Sequence, residues 1–199
     1  MWVQKRKRIQ CIILTIVISF LSKIVYLLHP FSIKMVSDNS GCLLGCAYLA
    51  GLDWRQAAVS NYYGQGWYII YSFLFRLTDD AYLIYKVMII SNIVFISSVS
   101  ILIYIIMVKF LECSDGIFTV LSAAVCVHFI SDPGSGTRIS NEPPVFIFTW
   151  IICFFLVYTY YNKDDRKKFM KGLIGLVVFQ SYALLIHTRM IVIIIAIVL

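Results

Sequence analysis

From Ala81 to Val108 the chain runs through Ile, Val, Leu, Tyr, Phe and Ser with Lys86 as its only charged side chain. About 20 mostly apolar residues suffice for a helix to cross roughly 30 Å of hydrocarbon. A run of this length commits its part of the chain to a spanning helix, because in lipid the backbone must satisfy its own polar groups. Five further runs repeat the pattern: 10–28, 116–130, 144–161, 172–186 and 190–199. The fourth span in chain order opens on Pro143-Pro144, a pair suited to a helix start. The last run is still apolar at Leu199, so the chain is expected to be either a truncated product or the first part of a longer protein.

Composition supports the same solvent. Hydrophobic residues make up 61% and charged residues 14% of the chain, against roughly 45–50% and about 25% in soluble domains. So few charges cannot cover a water-facing surface. The expected fold class is all-α: a polytopic integral membrane protein of six transmembrane helices plus outer-face interfacial helices, forming a single module over residues 1–199.

The first run, Gln10 to Leu28, follows the basic cluster Lys5-Arg6-Lys7-Arg8 and ends at His29-Pro30. No small-x-small cleavage site follows it, so it reads as an uncleaved anchor rather than a signal peptide. Leu44-Gly45-Cys46 resembles a lipoprotein box, but a polar segment separates it from the apolar core. With the N-terminus in the cytoplasm, Lys5 to Arg8, Lys109, Lys163, Arg166, Lys167, Lys168 and Lys171 all lie inside. That is the arrangement the positive-inside rule requires, here in the plasma (cytoplasmic) membrane. The net charge of +7 is then topogenic. A nucleic-acid partner is not expected, since the cations flank spans and no soluble domain gathers them. Asp38, Asp53, Asp79, Asp80, Asp132 and Glu142 fall on the outer side, an excess that insertion does not explain.

The outer loop from Pro30 to Asp80 is too long and too patterned for a connector. Gly41 to Ala50 reads as a short helix stopped by Gly51, with Asp38-Asn39-Ser40 as capping chemistry. Trp67 to Leu77 is aromatic, apolar and too short to span, and is expected to lie at the outer interface. Had it crossed, the Lys163–Lys171 cluster would face outward, against the charge rule.

These segments carry a resemblance. Ser37-Asp38-Asn39, Tyr62-Tyr63-Gly64-Gln65-Gly66-Trp67-Tyr68, Phe73-Leu74-Phe75-Arg76-Leu77-Thr78-Asp79-Asp80, Ser140-Asn141-Glu142-Pro143-Pro144 and His187-Thr188-Arg189 follow one another between the spans. In this order they resemble the N-terminal half of the GT-C glycosyltransferases, the superfamily of the protein mannosyltransferases and the aminoarabinose transferases of lipid A. The resemblance implies transfer of a sugar from a polyprenyl-phosphate donor lipid to an acceptor at the outer face. A phosphate leaving group departs without an acid. One carboxylate base is therefore needed on the acceptor hydroxyl, with positive charge or a divalent metal on the phosphate.

Carried onto this chain, the resemblance makes Asp38 the catalytic base, although Asn39 stands where the family often has a second acid. Glu142 becomes a metal ligand or acceptor-orienting group, and a carboxylate at that place also suits a helix N-terminus. Arg138 and Arg189 become phosphate ligands, with Tyr63 and His187 as further substrate contacts. Arg189 equally suits a helix end near headgroups, and His187 an interfacial position.

Other features are weaker. Asp132 to Arg138 is glycine-rich, but it lacks the strand–loop–helix setting and lysine of a nucleotide-binding loop. Cys42 and Cys46 share a helix face, a poor geometry for a disulfide. A transporter or flippase is the competing class, with Lys23, Lys86 and the Ser91, Asn92, Ser97, Ser98 and Ser100 stripe lining a path. The third possibility is an inert remnant of a transferase fold.

Overall fold

The computed structural model describes residues 2–28, 37–52, 64–130, 139 and 142–198; in parts of some helices, Asp38 included, it describes the backbone alone. The described residues are helical, with no strand among them. In chain order they form α1 (Trp2–Leu28), α2 (Ser37–Leu49), α3 (Gly66–Ser72), α4 (Leu74–Leu77), α5 (Ala81–Lys109), α6 (Ile117–Ile130), α7 (Glu142–Tyr161), α8 (Arg166–Ile186), a 3-10 turn (Thr188–Met190) and α9 (Ile191–Val198). Three of these, α5, α7 and α8, are long and apolar enough to cross a bilayer, and they mark the chain as a membrane protein.

Helix starts follow local chemistry. The Asp80 carboxylate accepts the Tyr82 and Leu83 N–H groups at 2.9 and 3.2 Å and so caps α5. Asp165 does the same for α8 with Lys167 and Lys168. That cap moves the start of the fifth expected span from Gly172 back to Arg166, making the basic cluster part of the helix. The short loop helix begins at Ser37, ahead of the expected Gly41, so Asp38 sits inside its first turn. It does stop at Gly51, which takes φ +94°. Leu52 N–H reaches the Ala47 carbonyl and Gly51 N–H the Tyr48 carbonyl at 3.1 and 3.0 Å, a Schellman ending.

The helices pack around α5, with α1, α6 and α7 against it and α8 against α7. A Cβ at Gly172 would strike Thr159 and one at Gly175 the Phe155 ring, so the two glycines let α8 close on α7. The Phe110 ring at the end of α5 meets Phe154, Tyr158 and Tyr161 at the end of α7. Counting back along these parallel helices puts Glu142 level with about Val94, midway along α5.

The first half of α5 therefore runs past the end of α7. It is clothed by α2, α3 and α4, whose Cys42, Cys46, Trp67, Tyr68, Tyr71 and Leu74 form one core with Ile84, Met88 and Ile93 of α5. The expected interfacial helix is broken at Phe73 and runs along this half of α5. It buries Trp67, Tyr68, Tyr71 and Leu74 and exposes Ile69, Phe73 and Leu77. Lys86, on the same half, is exposed.

The opposite end is held by a polar clamp. Arg8 donates to Asp115 through Nη2 and Nε at 3.0 and 3.2 Å, and the Tyr104 hydroxyl donates to the same carboxylate at 2.6 Å. This ties α1, α5 and the turn before α6 together. Burial works against the Asp115 charge, but the bonds from Arg8 and Tyr104 prevail and hold its pKa below the usual carboxylate value. Its stabilisation is therefore complete above the unfolded value near pH 3.9 and lost as pH falls through the folded one. Asp115→Ala should cost about 2 kcal/mol at neutral pH, by the usual worth of hydrogen bonds to a charge. Thermal unfolding in detergent checks this, and an unchanged midpoint would show that the clamp holds nothing.

Candidate functional site

At the level of Phe95 three chain segments meet. The first is Gly64-Gln65-Gly66, leading into α3. A Cβ on Gly64 would strike the Leu185 carbonyl, and one on Gly66 would come within 2.9 Å of the Leu185 carbonyl carbon. The approach needs glycine because the neighbour is backbone, which cannot rotate away. The Tyr182 hydroxyl adds a hydrogen bond to the Gly66 carbonyl at 2.8 Å.

The second segment is the end of α8. His187 turns extended (φ −156°, ψ 131°) and its Nδ1 accepts the Arg189 N–H at 3.0 Å, which starts the 3-10 turn. With Nδ1 accepting, the neutral ring carries its proton on Nε2. The imidazole is fully buried. Burial lowers its pKa first and the Arg189 charge second, against a smaller opposite pull from Glu142.

The third segment is the start of α7. Glu142 Oε1 lies 3.6 Å from Arg189 Nη1, with both side chains more than half exposed. An exposed pair at this distance contributes about 0–1 kcal/mol. Stability alone therefore gives little reason for placing these charges together, and the pair leaves both heads open to a ligand.

Trp67 enters the same layer from α3. Its ring packs edge-on to Tyr71 and Phe95 at 5.0 and 6.0 Å between centroids. The side chain is 2% exposed, and among the described residues Nε1 has no hydrogen-bond partner. Beside it the Tyr71 hydroxyl donates to Asn92 Oδ1 at 3.4 Å.

Of the residues expected from the sequence, Glu142, His187 and Arg189 stand together here. The side chain of Asp38 lies outside the described residues, but its backbone has a place. Gly45 abuts the Tyr68 ring and Arg76 Nη2 donates to the Leu49 carbonyl at 3.3 Å, so α2 and α3–α4 run in the same sense. The first turn of α2, about 10 Å before Gly45, thus lies toward the start of α3. Tyr63 and Arg138 lie outside the described residues, as does the Asp132–Arg138 loop. Among the described residues no group of three His, Cys, Asp or Glu gathers as a metal site, and Glu142 has a cation for its neighbour.

Trp67 was legible only as an aromatic suited to headgroups, and nothing in the sequence singled out Tyr182. Both act through contacts with residues far away in the chain. Comparisons with protein-family models, curated proteins and solved structures found no match.

Two outcomes follow from this geometry. Gly64→Ala should push α3 off the end of α8 and cost about 1–3 kcal/mol, the usual toll of overpacking. A thermal midpoint equal to wild type would refute the close approach. The depressed pKa of His187 makes its contribution complete above its unfolded value, about 6.5, and lost as pH falls through the folded value. Thermal midpoints measured from neutral to mildly acid pH should therefore drop in wild type and stay flatter in His187→Gln.

Proposed function

We propose that this chain is a GT-C-like glycosyltransferase module that takes a sugar from a polyprenyl-phosphate donor at the outer face of the plasma membrane. In this reading α1, α5, α6, α7, α8 and α9 are the six spans, with the N-terminus in the cytoplasm. The single observation that carries it is the meeting of three distant segments, Gly64–Trp67, Glu142 and His187–Arg189, at one end of the bundle. Their charges suit the chemistry. Arg189, with Arg138, neutralises the donor phosphate, buried neutral His187 holds the Arg189 backbone by accepting its N–H, and Tyr63 is a further substrate contact in this reading. Asp38 takes the acceptor proton, a role worth about 10²–10⁴ in rate. Glu142 orients Arg189 and the acceptor, and is the carboxylate that would hold a divalent metal if one assists.

The test uses the full chain in detergent. Native mass spectrometry compares binding of polyprenyl phosphate with that of the neutral polyprenol, and labelled polyprenyl-phosphate sugars report release of label. Arg189→Gln should weaken phosphate-lipid binding by about 10- to 100-fold, the worth of a charge-assisted hydrogen bond. Asp38→Asn should abolish sugar release and leave binding intact. Equal affinity for the phosphate and the neutral alcohol would sink the proposal.

A further inference from the structure

One end of the bundle gathers charge of mostly one sign. The Arg8–Asp115 pair brings the start of α1 to the end of α5, and the Phe110–Tyr161 contact brings the end of α7 to the same level. The turn at 162–165 then leads straight into α8. Lys5 to Arg8, Lys109 and the Lys163–Lys171 stretch thus place ten lysines and arginines there, against Glu112, Asp115, Asp164 and Asp165. Two of these carboxylates already serve the fold: Asp115 in the clamp, and Asp165 in capping α8 and pairing with Lys168. Tyr160 and Tyr161 stand exposed at the same end, at 68% and 54%, and such tyrosines mark the headgroup level of a bilayer.

Within this field three helices converge on one ring. Lys109, the last residue of α5, holds its Nζ 5.4 Å from the centre of the Tyr158 ring of α7 and 5.6 Å from that of Phe110. Lys168, in the first turn of α8, lies within electrostatic reach of the Tyr158 hydroxyl. Its Nζ is 3.0 Å from Asp165 Oδ2, with both side chains about half exposed. An exposed pair of this kind is weak, and an ammonium has three donors, so Lys168 keeps N–H groups for a further acceptor. A ring face likewise positions the Lys109 ammonium without saturating it. Orientation in the membrane asks only that cations lie on one side. It does not ask that ammoniums from two helices meet at one tyrosine. Helix stability does not ask for Lys168 either, since it stands at the positive end of the α8 dipole. One turn toward the middle of α7, half-buried Phe154 stacks on Tyr158 at 6.2 Å between centroids and offers apolar surface to a chain.

We propose that Lys109, Tyr158 and Lys168 form a headgroup site for an anionic diacyl phospholipid of the membrane, with the phosphate between the two ammoniums and an acyl chain along Phe154. The ammoniums give charge-assisted hydrogen bonds to the phosphate oxygens, and the Tyr158 hydroxyl adds a neutral donor. A zwitterionic headgroup would bring its own cation into a field that is already positive, so net negative charge on the lipid decides the preference. Along α7 the site is about 24 Å from Glu142. It uses neither the donor lipid nor the Glu142–Arg189 pair, so it stands or falls apart from the transferase reading.

The experiment is a native mass-spectrometric titration of the full chain in detergent with phosphatidylglycerol and phosphatidylcholine of matched acyl chains. Wild type should bind phosphatidylglycerol about 10-fold more tightly or better. Lys109→Gln and Lys168→Gln should each weaken that binding about 5-fold, the worth of one lysine near a headgroup, and leave phosphatidylcholine binding unchanged. Lys5→Gln removes the same charge from the same end but on α1, and should stay within about 2-fold of wild type because distant exposed charges are screened. All three lysines are exposed, so their loss leaves the packing intact, and thermal midpoints check that. Equal affinity for the two lipids overturns the proposal. So does a Lys5→Gln effect as large as that of Lys109→Gln, which would leave only a diffuse field of charge. An equal amount of polyprenyl phosphate should not displace phosphatidylglycerol, and displacement would overturn the assignment to a diacyl phospholipid.

Discussion

A helix of 29 residues is about 44 Å long, and the hydrocarbon core of a bilayer is about 30 Å thick. α5 therefore has more length than a crossing uses, and the rest of the molecule is arranged around the excess. Its second half packs with α1, α6 and α7. Its first half runs past the end of α7, still apolar on several sides, and α2, α3 and α4 cover it. The candidate site lies at the change from one arrangement to the other. There α7 begins and α8 ends, so the helix-end charges Glu142 and Arg189 meet the loop that leads into α3.

Along α1, polarity is reversed relative to a helix of a soluble domain. The outward stripe of α1 is isoleucine, valine and leucine, and its inward stripe is threonine, serine and lysine. Lipid rewards this distribution, because outward apolar groups lose nothing there and inward polar groups find one another. At the end of α5, the charge-assisted bonds of the Arg8–Asp115–Tyr104 clamp join three elements beside the apolar packing around Tyr104.

Much of the fold was legible in the chain. Apolar runs set the long helices, and Gly51 and Pro143-Pro144 marked boundaries because left-handed φ and fixed φ are local properties. Boundaries were misplaced where a polar segment continued an apolar helix. α8 takes in Arg166 to Lys171, since those residues form helix well and Asp165 caps them, yet they read as loop by hydropathy. The candidate site was legible in its polar residues, Glu142, His187 and Arg189, because short motifs between spans drew notice. Tyr182, the buried Trp67 and the Asp115 clamp were not, since their roles depend on partners as far as 116 residues away.

By itself the sequence determined that the chain is helical and made for lipid, because hydropathy and capping act within a few residues. The tertiary structure alone decided which face of α1 is buried, that α3 and α4 run along α5, and that Glu142 and Arg189 meet. Each of those outcomes comes from how helices settle against one another. That depends on close approaches such as Gly64 on Leu185 and Gly172 on Thr159, which no local pattern encodes.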